Sequence, residues 1–301
     1  MKILLLGKDG QLGWALQSSL AIHGKVIACG RNECDLSNLD QLRSLVASCD
    51  PDVIVNAAAY TAVDRAESDL ETAMRINRDV PAVLAELAGQ RNLLLIHYST
   101  DYVYDGQKKS PYLESDLPNP QSNYGLSKLA GENAVRATCA RSVIFRTSWV
   151  FGSHGQNFVK TMLRLAWERS TLNVVADQVG SPTPAALIAE VTGVVLSRLG
   201  YGQGMMSGEK RLYHLSAANP VSWHGFAQHI VSLLDSSAGV TLRPEAIVPI
   251  SSQEYPVPAR RPANSCLDCT LLERDFALQM PDWSVYLTQM LAASVNGQAN
   301  C

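Results

Sequence analysis

Apolar residues fall into two rhythms along the first half of the chain. Short unbroken runs at 2–6, 25–29, 52–56, 93–98 and 142–146 show no alternation, the pattern of strands covered on both faces. Between them, apolar positions recur at helical spacing over 12–20, 38–48, 67–89 and 122–139. Strand alternating with helix predicts an α/β fold, a Rossmann-type doubly wound parallel sheet joined by right-handed crossovers. Past Phe151 the texture loosens. Helical patterns at 157–169 and 184–198 flank Asp177-Gln178-Val179-Gly180-Ser181-Pro182-Thr183, and a further strand is expected at 212–216. Prolines gather from Pro244 to Pro262, and a last helix is expected at 283–293.

Composition narrows the class without naming it. The 301 residues are 47% hydrophobic and 18% charged, enough for one large domain with a smaller one attached. A net charge of -3 and no basic block argue against a nucleic-acid partner. The apolar run Ile3–Leu6 ends at Gly7, too short for a signal peptide or a membrane span. A cytoplasmic location and no membrane partner are therefore expected. Seven dispersed cysteines suggest reduced thiols. The single Cys-x-x-Cys, Cys266 to Cys269, lacks the second pair that a structural zinc site needs.

Chemistry enters first at Gly7-Lys8-Asp9-Gly10-Gln11-Leu12-Gly13. This G-x-x-G-x-x-G is one residue wider than the dinucleotide fingerprint, but the physics is shared. Glycines permit a tight turn and close backbone approach, and a helix N-terminus attracts a diphosphate. Its place at the first strand-to-helix junction makes Gly7, Gly10, Gln11, Leu12 and Gly13 the expected cofactor cradle. After the second strand, Arg31 suits a 2′-phosphate where an acidic residue would suit a free hydroxyl. Arg31, with Lys8, points to NADPH, NADH remaining open. Asp35 and Leu36 are expected against the adenine, and Ala57, Ala58 and Ala59 leave room above the third strand. Residues 1–150 are thus expected to form the NAD(P)-binding domain. Residues 151–301 are expected to be mainly the substrate lobe, with segments free to return to the main sheet.

The reacting centre is read from Ser122-Asn123-Tyr124-Gly125-Leu126-Ser127-Lys128. A helix starting near Ser122 puts Tyr124 and Lys128 on one face. A free tyrosine titrates at about 10, and an ammonium beside it favours the phenolate, so the pair can hand a proton to a carbonyl oxygen. A second Tyr-x-x-x-Lys, Tyr104 with Lys108, spans the turn signal Asp105-Gly106 and need not share a face. Thr100 closes the fourth strand, where ligands of open α/β sheets bind. Its hydroxyl can meet the carbonyl, or cap a backbone group. His97 reads as a core histidine satisfied by a backbone partner.

Together these motifs resemble the extended short-chain dehydrogenase/reductases. The likeness runs through Val55-Asn56-Ala57-Ala58-Ala59-Tyr60-Thr61-Ala62-Val63-Asp64, His97 to Val103, and Phe145-Arg146-Thr147-Ser148-Trp149-Val150. It continues through Asn157-Phe158, Asp177-Gln178, Gly180-Ser181-Pro182-Thr183 and Pro258-Ala259-Arg260-Arg261-Pro262. The later segments point to members acting on nucleotide-sugars. The resemblance implies reduction of a dTDP-keto-sugar at C4. Tyr124 would be the proton donor, Lys128 would bind the nicotinamide ribose, and Thr100 would orient the carbonyl. Trp149, Asn157, Arg260 with Arg261, and Tyr102 would contact sugar and diphosphate. Some relatives pair through magnesium held by two glutamates. The matching positions here are Ala15 and Ala186, which offer a hard cation no oxygen. No metal is expected, and the oligomeric state, monomer or weak homodimer, stays open. So do two rival readings: another nucleotide-sugar reductase or epimerase, and a non-catalytic NADP-binding regulatory subunit.

Overall fold

Successive residues of each central strand feed opposite faces of one sheet. Ile3, Leu5, Val53, Val55, Leu94 and Ile96 enter one core, while Leu4, Leu6, Ile54 and Leu95 enter the other. Each Leu or Ile so buried contributes about 1.5–3 kcal/mol relative to exposure. The computed structural model describes residues 1–199, 210–236 and 246–298. Pro244 and Cys301 lie outside them.

In chain order the first elements are β1 (Lys2–Leu6), α1 (Gln11–Ala21), β2 (Lys25–Cys29), α2 (Leu39–Cys49), β3 (Val53–Asn56), α3 (Val63–Ala66), α4 (Leu70–Met74), α5 (Val80–Gln90), β4 (Leu94–Thr100), α6 (Asn123–Thr138) and β5 (Ser142–Thr147). There follow β6 (Val150–Phe151), α7 (Phe158–Glu168), β7 (Thr171–Val175), β8 (Val179–Gly180), β9 (Thr183–Pro184) and α8 (Ala185–Leu199). The remainder comprises β10 (Lys210–His214), β11 (Val221–Ser222), α9 (Trp223–Ser236), β12 (Ala246–Ile250), β13 (Asn264–Ser265), α10 (Thr270–Phe276) and α11 (Trp283–Gln298).

The main sheet is parallel, in the order β10-β5-β4-β3-β1-β2. Its direction of winding reverses between β1 and β3, the switch point at which doubly wound sheets hold ligands. Helices α1 and α8 pack on one face, and α2, α5 and α6 on the other. The chain's second half returns β10 to the edge of this sheet, its ladder set two residues earlier than the expected 212–216. It also forms small sheets β11-β8-β13, β12-β7 and β6-β9.

One predicted helix is interrupted. The pattern over 67–89 resolves into α4, a π-helical turn at Arg75–Asp79, and α5. Pro81 has no N–H to donate and its ring crowds the preceding turn, so the backbone widens there. The widened turn has a use. Asn77 bonds Tyr60 N and O at 2.9 and 3.0 Å and the Ser127 hydroxyl at 2.9 Å, fastening α6 to the sheet's flank.

Candidate active site

The turn between β1 and α1 is shaped by backbone contacts. Gly7 has φ +84°, and a Cβ there would lie 2.6 Å from Ala58 N. A Cβ on Gly13 would lie 1.9 Å from Gly7 O. Gly10 is the N-cap of helix α1 and brings no side-chain cap, so the first N–H groups of the helix are left to suit a diphosphate. The end of β3 backs onto the turn, with Ala57, Ala58 and Ala59 half-buried. Gln11 and Leu12 begin the helix. The turn therefore fits a dinucleotide.

Beyond β2 the arrangement differs from the simple arginine reading. Arg31 is exposed, while Lys8 is engaged by Glu33 at 2.5 Å. Glu33 also accepts from Gly30 N at 2.7 Å. An acidic residue thus stands at the ribose-reading loop, overlooked because it lies two positions past the arginine. Asp35 is exposed and turned to the Ser37 amide and hydroxyl at 2.9 and 2.7 Å, and Leu36 packs toward the core.

At the head of α6 the expected side chains converge. Ser122 caps the helix, accepting from Gly125 N at 3.1 Å. A Cβ on Gly125 would meet Tyr102 O at 2.2 Å, so glycine lets the first turn press against that segment. The rings of Tyr102 and Tyr124 meet edge to face at 5.4 Å. Tyr124 is buried, with its phenol beside the Thr100 hydroxyl. Of the two roles read from its sequence position, Thr100 shows the cap: it accepts from Tyr102 N at 3.2 Å at the short turn after β4, with the Tyr124 phenol beside it.

The electrostatics reverse one expectation. Burial raises the Tyr124 pKa, opposed by the Thr100 hydrogen bond and reinforced by Asp101. Lys128 does not lower it, because its ammonium donates to Tyr98 O at 2.7 Å. Burial also lowers Lys128 to about 8, and Glu132 one turn on works against that fall. Glu132 in turn receives Arg146 at 2.9 and 2.5 Å, both side chains buried. Arg146 donates to the Tyr104 hydroxyl at 2.7 Å, which lies 2.7 Å from His214 Nε2. The second Tyr-x-x-x-Lys is therefore structural. Tyr104 belongs to this buried network, and Lys108 pairs with Asp116. His97 is fully buried, its Nδ1 3.2 Å from the Asn56 side-chain amide rather than a backbone group.

The outer residues are placed less uniformly. Trp149 has φ +46°, stacks on Trp223 at 3.4 Å and lies against Gly180. A bulky residue in this backbone region is strained, and such strain gathers at ligand sites. Asn157, expected to touch the sugar, instead caps α7 through Lys160 N. Its amide donates to Gln11 Oε1 and Gly152 O at 2.9 and 2.7 Å. Arg260 is exposed and 3.3 Å from Gln121 Oε1; Arg261 pairs with Asp64 at 2.8 Å.

A cavity of about 710 Å³ lies between α1, α8 and residues 152–154, with Gln11 and Gly152 on its wall. Ala15 and Ala186 both line it. Glu190, also on its wall, accepts from Tyr286. Among the described residues no three His, Cys, Asp or Glu side chains gather as a metal site. Cys266 and Cys269 are free thiols pushed up to about 11 by burial. No helix among the described residues is long and apolar enough to cross a membrane.

Comparison with known proteins covers almost the whole chain. The model of the RmlD substrate binding domain matches residues 1–296. A dTDP-4-dehydrorhamnose reductase of Burkholderia thailandensis is 47% identical, over 94% of this chain and 95% of its own. One from Escherichia coli K12 is 44% identical, over 97% of each. Among solved structures, the Clostridium acetobutylicum dTDP-4-dehydrorhamnose reductase superposes with TM-score 0.88 at 34% identity, covering 97% of this chain and 99% of that one. The Bacillus anthracis enzyme in complex with NADP gives 0.86 at 33%, with the same coverage.

Proposed function

The chain belongs to the RmlD family of dTDP-4-dehydrorhamnose reductases, and from that premise we infer that it reduces the C4 ketone of dTDP-4-dehydro-L-rhamnose to dTDP-L-rhamnose using NAD(P)H. The observation that carries the mechanism is the meeting of Thr100 and Tyr124 at the carboxyl end of β4, with Lys128 one turn along α6. A reduced nicotinamide dinucleotide in the β1–α1 turn supplies the hydride. Tyr124 donates its phenol proton to the oxygen of the forming alcohol. Lys128, held at Tyr98 O, keeps further ammonium protons for the ribose of a bound dinucleotide. Burial keeps water from competing for the proton.

NADPH is the preferred cofactor in this reading, with NADH accepted. Arg31 is the cation left to face a 2′-phosphate while Lys8 is engaged by Glu33. Trp149, Tyr102 and Arg260 are retained as substrate contacts. Asn157 acts by bracing Gln11 in the cofactor turn rather than by touching the sugar.

The test is turnover of dTDP-4-dehydro-L-rhamnose with each cofactor, in the native protein and in Tyr124→Phe. The expected loss is about two to four orders of magnitude in kcat, the usual worth of a positioned acid, with NADPH affinity unchanged. Near-native kcat in the variant removes Tyr124 from the mechanism. A protein that binds NADPH but reduces nothing fits the regulatory-subunit reading instead.

A further inference from the structure

Asp101 follows Thr100 and is almost wholly buried. Its Oδ1 lies 3.0 Å from the Thr100 hydroxyl, which donates to it. Its Oδ2 is buried without a hydrogen-bond partner. Burial outweighs Ser265, Thr100 and the backbone N–H groups of Asp101 and Tyr102, which favour the ionised carboxylate, since a buried charge needs partners on its free lone pairs. The side chains facing it are Thr100, Tyr102, Tyr124 from α6, and Ser265 with Cys266 from the β13 segment. None is a cation. Arg261 and Asp64 act on Tyr102, one layer further out.

Thr100 has one proton and two lone pairs. One lone pair receives Tyr102 N. With Asp101 ionised, the single Thr100 proton goes to Oδ1, and the remaining lone pair draws the phenol proton of Tyr124 inward. With Asp101 protonated, its O–H fills that lone pair. The Thr100 proton then turns toward Tyr124, and the phenol proton is free to face a ketone. We propose that Asp101 is a positioning residue that sets the direction of the Asp101–Thr100–Tyr124 hydrogen-bond chain, and that the chain is productive when Asp101 carries a proton. Thr100 then donates to the Tyr124 oxygen as that oxygen gives up its proton and becomes negative. The proposal rests on Tyr124 being the acid.

Burial raises the Asp101 pKa to about 6, so the neutral form prevails below that value and is lost as pH rises through it. The sign of the pH effect follows. In the native enzyme, kcat falls up to about tenfold per pH unit above the Asp101 pKa. Asp101→Asn keeps the shape and can donate to Thr100 at every pH, so that limb flattens. A variant with the native profile, or one that loses activity without changing it, overturns the proposal.

A second readout needs no turnover. Infrared titration of the native protein with bound NADPH, compared with Asp101→Asn, is expected to show a protonated-carboxyl stretch at about pH 5 that disappears by about pH 8. A carboxyl already ionised at the acid end overturns the proposal even if the variant fails to fold. Near-native activity in Tyr124→Phe sinks the parent reading instead, while the infrared band still reports on Asp101 alone.

Discussion

At the β1–α1 junction the groups proposed to face the dinucleotide are backbone amides within the run Gly7–Gly13, and the nearest charges, Lys8 and Glu33, are part-exposed. At the head of α6 the working groups are side chains, buried and held by partners from β4, β5, the π-helical turn and β10. A turn made of backbone tolerates many neighbours and needs only the right φ angles. A buried polar centre is stable only if each member finds its partner. The difference predicts where damage spreads: locally at the turn, widely at α6.

The largest effect is expected at Glu132. Replacing it with alanine leaves Arg146 buried and uncompensated, a change that typically destabilises by about 3–5 kcal/mol. Denaturant melts should show this loss, with NADPH affinity of the folded fraction little changed because the β1–α1 turn is built separately. A variant as stable as the native protein would break the contrast between the two regions. A large loss of NADPH affinity at intact stability would invert it.

That contrast also explains what the sequence makes legible. The strands were readable because apolar runs are a local signal, and Gly7, Gly10 and Gly13 because a turn is written in consecutive residues. Tyr124 and Lys128 share a helix, so their spacing places them together. Thr100 is recognisable only from its place at a strand end. Arg146, on a strand of its own, shows no link to Glu132 in sequence, and neither residue stands out as a pair. Asn77 was hidden inside an apparently continuous helix, with Pro81 the one sign of a break. The direction of the Tyr124 pKa shift is the reverse of the one its sequence pattern suggests. A Tyr-x-x-x-Lys pattern says that an ammonium is near, but not that a carbonyl already holds it.

A middle-sized effect is expected at the turn. In Gly13→Ala the new Cβ would fall 1.9 Å from Gly7 O, so the backbone must open. Overpacking of this kind costs about 1–3 kcal/mol, and much of it should appear as weaker cofactor binding. Fluorescence titration should give an NADPH Kd raised about tenfold, with the Lys128–Tyr98 contact unaffected. Unchanged affinity would mean that the close approach of α1 to Gly7 is not what shapes the cradle.

The smallest effect separates the two cofactors. Arg31 is exposed at the end of β2, where an ion pair is screened and contributes little. Arg31→Ala should therefore raise the KM for NADPH by only about two- to fivefold, the range of an exposed charge contact, and leave that for NADH in place. The gap between native and variant should narrow as salt rises, because the Debye length shortens from about 10 Å at 0.1 M to about 3 Å at 1 M. Equal changes for both cofactors would assign Arg31 to the shared half of the dinucleotide. A change that persists at high salt would mean that the contact becomes buried on binding, which would make the turn region more like the α6 centre than its exposed surface implies.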